Sequence, residues 1–199
     1  MLAELRNEQR NASLGFEALQ ELGGGGISFS HHAPDLLTPV LFEQCVDFFF
    51  ANIYALQPVL ERRHVDEAVI TMSRSAEAYC MVLALCACTM IQTDTKLPFS
   101  SLEPSETRRT GCSLLEESCR LRRDHDYRQN PTHQTVLTSW LHYRCYLGLG
   151  ESNAAWCHLR EATTQVQLLG MHDEETYRLN PHHAPQKRVL YWLLFIAER

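Results

Sequence analysis

The sequence predicts an all-α fold, and three observations carry that prediction. Apolar residues recur at spacings of three and four through most of the 199 residues. No segment sustains the apolar–polar alternation of a half-buried strand. Helix start and stop signals sit at the edges of the periodic stretches. The expected architecture is an irregular helical bundle with antiparallel αα-hairpins, forming part of a larger helical domain.

Residues 2–22 are expected to form a weakly ordered helix. Leu2, Leu5, Ala12, Phe16 and Leu19 have heptad-like spacing, but Gly15 lowers the helix propensity by ~1 kcal/mol. Gly23 to Gly26 then make a flexible joint, and 27–37 an irregular connector holding His31, His32 and Pro34. From Thr38 the signal strengthens. Thr38-Pro39 pairs a hydroxyl N-cap with proline at the first helical position. Phe42, Cys45, Val46, Phe49 and Ile53 mark one face of the helix that follows, and Pro58 ends it. A short helix is expected over 64–72, then an apolar helix from Ala76 to Ile91 capped by Ser75. After a loop bracketed by Pro98 and Pro104, Glu106 to Asp124 is amphipathic, with Cys112, Leu115, Cys119 and Arg122 on one stripe.

Two helices then form the clearest unit. Asn130-Pro131 opens the first, whose inner stripe is Val136, Trp140, Tyr143 and Leu147, and Gly148-Leu-Gly150 closes it. Glu151 or Ser152 starts the second, and Ala155, Leu159, Ala162, Val166 and Leu169 line its face. Gly170 stands where a left-handed C-terminal cap is needed. The short turn makes the pair an αα-hairpin. It does not recur at the ~34-residue period of a helical solenoid. Pro181 and Pro185 punctuate the next loop. A last helix, Gln186 to Arg199, is expected to dock on the hairpin through Trp192, Val189, Phe195 and Ile196, leaving Leu190, Leu193 and Leu194 opposite. It ends without a cap, so the natural domain is expected to continue. The organisation expected is therefore 1–37 as helix, joint and connector, and 38–199 as one domain incomplete at its C-terminus.

The composition is globular, with 45% hydrophobic and 21% charged residues. A net charge of −6 gives no broad basic surface for a phosphate backbone. The eight cysteines lie mostly in apolar helical stretches, where a free thiol acts as a small hydrophobe. No C-x-x-C occurs, and Cys86-Ala-Cys88 has the wrong spacing for a zinc knuckle. No apolar run approaches the ~18 residues of a membrane span, and no membrane partner is expected.

Catalytic patterns are missing too. There is no G-x-S-x-G elbow and no phosphate-binding G-x-x-x-x-G-K-[ST] loop. His172-Asp-Glu-Glu175 follows a helix stop and is expected in a loop, as surface carboxylates. Arg123-Asp-His-Asp126, with His31, His32, His172 and Asp173, offers an alternative: an HD-like, metal-dependent all-α hydrolase. A helical scaffold is a further alternative. Arg120, Arg122, Arg123 and Arg128 interleave with Glu116, Glu117, Asp124 and Asp126, and read as a solvated face of local ion pairs. No catalytic residue, metal ligand or cofactor is expected in this chain.

Several motifs in combination resemble a known family. They are Ala154-Ala-Trp156, Leu159-Arg-Glu-Ala162, Leu168-Leu-Gly-Met-His-Asp-Glu-Glu175 and Lys187-Arg-Val-Leu-Tyr-Trp-Leu-Leu-Phe-Ile-Ala-Glu-Arg199. Upstream, Phe48-Phe-Phe-Ala-Asn-Ile-Tyr54 with Pro58 and Leu83-Ala-Leu-Cys-Ala87 add to the likeness. The stretch 38–199 resembles the fungal-specific transcription factor domain, the middle homology region of zinc-cluster (Zn2Cys6) regulators, and especially the branch of amylase-, maltose- and xylanase-gene activators. The resemblance implies a nuclear regulatory region that acts by interaction rather than catalysis. It implies protein partners, a homodimer of the parent protein and a small sugar inducer. DNA and zinc binding are implied only for a zinc cluster, whose C-x2-C-x6-C pattern these residues lack. Within the matched motifs, Trp156, Leu159, Ala162, Leu169, Gly170 and Trp192 are expected to be structural. Arg160, Glu161, Arg188, Glu198 and Arg199 are expected to pair as charges that fix helix register, with ligand contact as the alternative.

Overall fold

The computed structural model describes residues 37–93, 103–125, 127–179, 181 and 184–199. The expected N-terminal helix, the glycine joint, His31, His32, Pro98 and Asp126 lie outside them. The described residues form eight α-helices and no strand. These are α1 (Pro39–Phe48), α2 (Arg62–Thr71), α3 (Ala76–Gln92), α4 (Pro104–Asp124), α5 (His133–Leu149), α6 (Ser152–Leu168), α7 (Glu174–Leu179) and α8 (Ala184–Ala197).

Local chemistry sets the boundaries. Thr38 Oγ1 accepts from the Leu41 amide at 3.3 Å, with Pro39 in the first turn of α1. The helix then widens by a π turn over Phe49–Ile53, where the Tyr54 amide reaches the Phe49 carbonyl at 2.8 Å. Glu61 and His64 form the box that opens α2, two residues earlier than expected. Ser75 Oγ caps α3 through the Ala78 amide at 3.3 Å. α5 is capped by Thr132, bonded reciprocally with Thr135, and not by Asn130-Pro131. Its hydroxyl accepts from the Thr135 amide, one of the orphan donors of the first turn.

α3 is the axis of the core. Ala78 to Ile91 is buried without a break, and α1, α2, α4 and α5 pack around it. A helix apolar on every side must be surrounded. Thr89 in this run donates to the Leu85 carbonyl at 3.0 Å. The approach of α4 is tight at Gly111, where an added Cβ would stand 2.9 Å from Met90 Cβ. Arg108 of α4 donates to the Ile91 carbonyl at 3.2 Å and to the Gly148 carbonyl at 2.9 Å, tying together the C-terminal ends of α3 and α5.

α5 and α6 pack together as the expected hairpin, closed by Gly150 in the left-handed region. On α6, Ala155, Leu159, Ala162 and Val166 are buried and Leu169 is half-buried. The stripe read for α5 needs widening. Thr135 to His142 is buried on all sides, whereas Leu147 is exposed. Glu174 and Glu175, expected in a loop, open α7, so only His172 and Asp173 of the acidic cluster lie in the turn.

The last helix turns the other way from expectation. Leu190 and Leu194 face α6 and α5, while Trp192 is 55% exposed and Phe195 and Ile196 also face out. Apolar residues surround this helix, so periodicity alone could not choose its inner side. Two surface ion pairs accompany the observed side. Arg188 at its start reaches Glu174 at 2.6 Å, and Glu198 at its end meets Arg160 at 2.7 Å.

Candidate functional site

The chemistry-bearing residues converge on a polar seam between α4, α5 and α6. Each helix supplies a polar row within an otherwise apolar face. α4 gives Ser118, Cys119 and Arg122; α5 gives Thr135, Ser139 and His142; α6 gives His158 and Glu161. Spacings of three and four hold each row on one side of its helix.

Glu161 is the hub. Its carboxylate accepts from Tyr127 Oη at 2.5 Å and Ser139 Oγ at 3.1 Å, and lies 3.4 Å from Arg122 Nη1 and 3.6 Å from His158 Nδ1. Arg122 is buried, unlike the solvated residue expected at this position. Its Nη2 donates to Ser139 Oγ at 2.9 Å, and its guanidinium lies over the Tyr127 ring at 3.9 Å. Arg120 does keep the expected surface role, paired with Glu117 and Asp124.

Burial alone would raise the Glu161 carboxyl, but His158, Arg122 and Tyr127 together hold it at about 2. Burial also pushes His142 well below the usual histidine range, helped by the charges of Arg122 and His158. Burial would lower His158 too, but Cys119 and Glu161 outweigh it and move that imidazole up. The seam is therefore an internal ion pair with a neutral histidine beside it.

Its inner end holds Cys119, His142 and His158. His142 Nδ1 lies 3.7 Å from Cys119 Sγ, its Nε2 lies 2.8 Å from Ser118 Oγ, and Ser118 Oγ donates to the Cys80 carbonyl at 2.9 Å. The His158 ring stacks on Tyr146 at 5.2 Å and meets His142 edge-on at 5.0 Å. This triple is the one group of three potential metal ligands that comes together among the described residues. The HD-like scheme gains no such convergence: His172 and Asp173 are exposed, and His125 binds the Leu121 carbonyl.

The other expected positions fall outside the seam. Leu159 and Ala162 are core, and Trp156 is 49% exposed. Arg160 pairs with Glu198, Arg188 with Glu174, and Arg199 covers the Phe195 ring at 4.3 Å. Gly170 has φ 64°, and an added Cβ would also strike Thr176 Oγ1 at 2.9 Å. Leu169 borders a cavity of about 160 Å³ shared with His133, Met171, Thr176, Tyr177 and Lys187. Burial lowers the Lys187 ammonium.

Comparison with known proteins gives this geometry a context. Over 175 residues the chain is 29% identical to the probable sucrose utilization protein SUC1 of Candida albicans, covering 85% of this chain and 32% of that protein. It is 25% identical over 160 residues to the maltose fermentation regulatory protein MAL13 of Saccharomyces cerevisiae, covering 80% of this chain and 33% of that protein. The respiratory transcription factor ZNF1 of the same yeast matches at 24% over 160 residues, covering 80% of this chain and 34% of that protein. The chain is similar, at low identity, to fungal transcription regulators. Two of these relatives are named as a regulatory protein and a transcription factor. The chain spans about a third of the length of the curated relatives it matches. No family model and no solved structure matches it. Among the described residues, no helix is long and apolar enough to cross a membrane.

Proposed function

We propose that this chain is the regulatory region of a fungal zinc-cluster transcription factor, one that controls RNA polymerase II transcription of carbohydrate-utilisation genes. The similarity to fungal regulators over most of the chain carries this reading. The net charge of −6 supports a role by interaction and not by gripping DNA. Nuclear localisation, protein partners and a homodimer of the parent protein belong to the same reading. DNA contact belongs to a zinc cluster outside these residues. A small sugar inducer belongs to it as well, and the cavity beside Lys187, Thr176 and His133 offers it polar groups in a half-enclosed space.

The test is a fusion of this chain behind a zinc-cluster DNA-binding segment, with a reporter under that segment's site in yeast. Reporter output should change with sucrose or maltose as carbon source. Lys187→Met should blunt the change without reducing nuclear protein. Output indifferent to both the chain and the carbon source overturns the reading.

A further inference from the structure

We propose that Cys119, His142 and His158 form a binding site for one divalent ion of the zinc class. Three helices, α4, α5 and α6, each contribute one ligand, and the donor atoms all lie within 4.8 Å of one another. Zinc–sulfur and zinc–nitrogen bonds of ~2.3 and ~2.0 Å at a tetrahedral angle place the two donors ~3.6 Å apart. The Cys119 Sγ to His142 Nδ1 separation is 3.7 Å. An ion held by all three ligands draws in the wider separations, which reach no more than 4.8 Å.

The surroundings orient the ligands as an outer shell does. The Ser118 hydroxyl hydrogen is directed to the Cys80 carbonyl, so its oxygen accepts the Nε2–H of His142. That fixes the tautomer with an Nδ1 lone pair facing the thiol. His158 lies beside the Glu161 carboxylate, and the stacked Tyr146 ring holds it in plane. Two imidazole nitrogens and one thiolate sulfur suit a borderline-soft ion and not magnesium or calcium. His142 is fully buried, but Cys119 and His158 are partly exposed and give the ion its entrance. On binding, the thiol S–H bond breaks, its proton leaves to solvent, and the sulfur pair forms the metal bond. The fourth position falls to water or to Tyr146 Oη, which lies 3.7 Å from the sulfur. This site does not depend on the regulatory reading above.

The experiment titrates cobalt(II) into the metal-stripped full chain under a non-thiol reductant. A sulfur-to-cobalt charge-transfer band should saturate at one equivalent, and zinc should bleach it. Cys119→Ala should abolish the band, while Cys112→Ala and Cys157→Ala keep it. Glu161→Gln should weaken zinc binding by about 10–100-fold. Wild-type protein gives a second readout that needs no variant: zinc should block alkylation of Cys119 and leave Cys157 reactive. No band, a band that survives in folded Cys119→Ala, or equal Cys119 alkylation with and without zinc overturns the site.

Discussion

At the scale of single residues, the Arg122–Glu161 pair is where charge was taken into the protein. Removing one partner of a buried pair costs ~3–5 kcal/mol, because the other is left uncompensated. Glu161 keeps Tyr127 and Ser139 as donors, so Arg122→Met should fall near the lower end. Adding Glu161→Leu should recover at least ~1 kcal/mol in a double-mutant cycle followed by urea unfolding. Strictly additive losses would mean the two charges do not stabilise one another. Gly111 tests packing instead. Alanine gains ~1 kcal/mol of helix propensity over glycine. Its Cβ, however, would press on Met90 Cβ at 2.9 Å and Ile91 Cγ1 at 3.1 Å. Met90 Cβ is fixed to the α3 backbone and cannot swing aside. Overpacking of this kind costs ~1–3 kcal/mol, so Gly111→Ala should lower stability despite the propensity gain. A stabilised variant would show that α4 can back away.

Among the elements, α8 separates pattern from partner. Leu190 and Leu194 carry its contact, so Leu190→Ala should cost ~2–5 kcal/mol. Trp192→Ala should cost less than ~1 kcal/mol, since most of its ring already meets water. Chemical denaturation of both variants decides the rotation of the helix; the reverse ranking would place Trp192 inside. This is also where the sequence stopped being legible. On α6 the apolar residues share one side, and Ala155, Leu159, Ala162 and Val166 could be read directly. On α8 they occupy every side, and the surfaces that cover Leu190 and Leu194 belong to other elements. The polar seam shows the same limit. Ser139, His142, His158 and Glu161 are visible as polar positions at helical spacing. Nothing in their spacing says that α4 delivers Cys119 and Arg122 against them. Metal-ligand spacing rules work within one helix or loop, and these three ligands come from three helices.

Across the whole molecule, the core is built around α3 and is rich in small residues and thiols. Its eight cysteines are all free. Five, Cys45, Cys80, Cys86, Cys88 and Cys145, are buried, Cys112 and Cys119 are half-covered, and Cys157 is exposed. That distribution makes the chain its own clock. A thiolate reagent reacts only with a sulfur it can reach, and a sulfur in the core is reached only when the chain opens. Mixed with excess reagent, the folded protein should show one rapid colour-forming reaction, two slower ones, and then a long silence. The remaining five should report together, at a rate set by opening and not by reagent concentration once reagent is high. If they instead react one after another, each in proportion to reagent, the helices around α3 breathe separately. A single shared rate would make this core one cooperative unit, and its lifetime could be read in a cuvette without any denaturant.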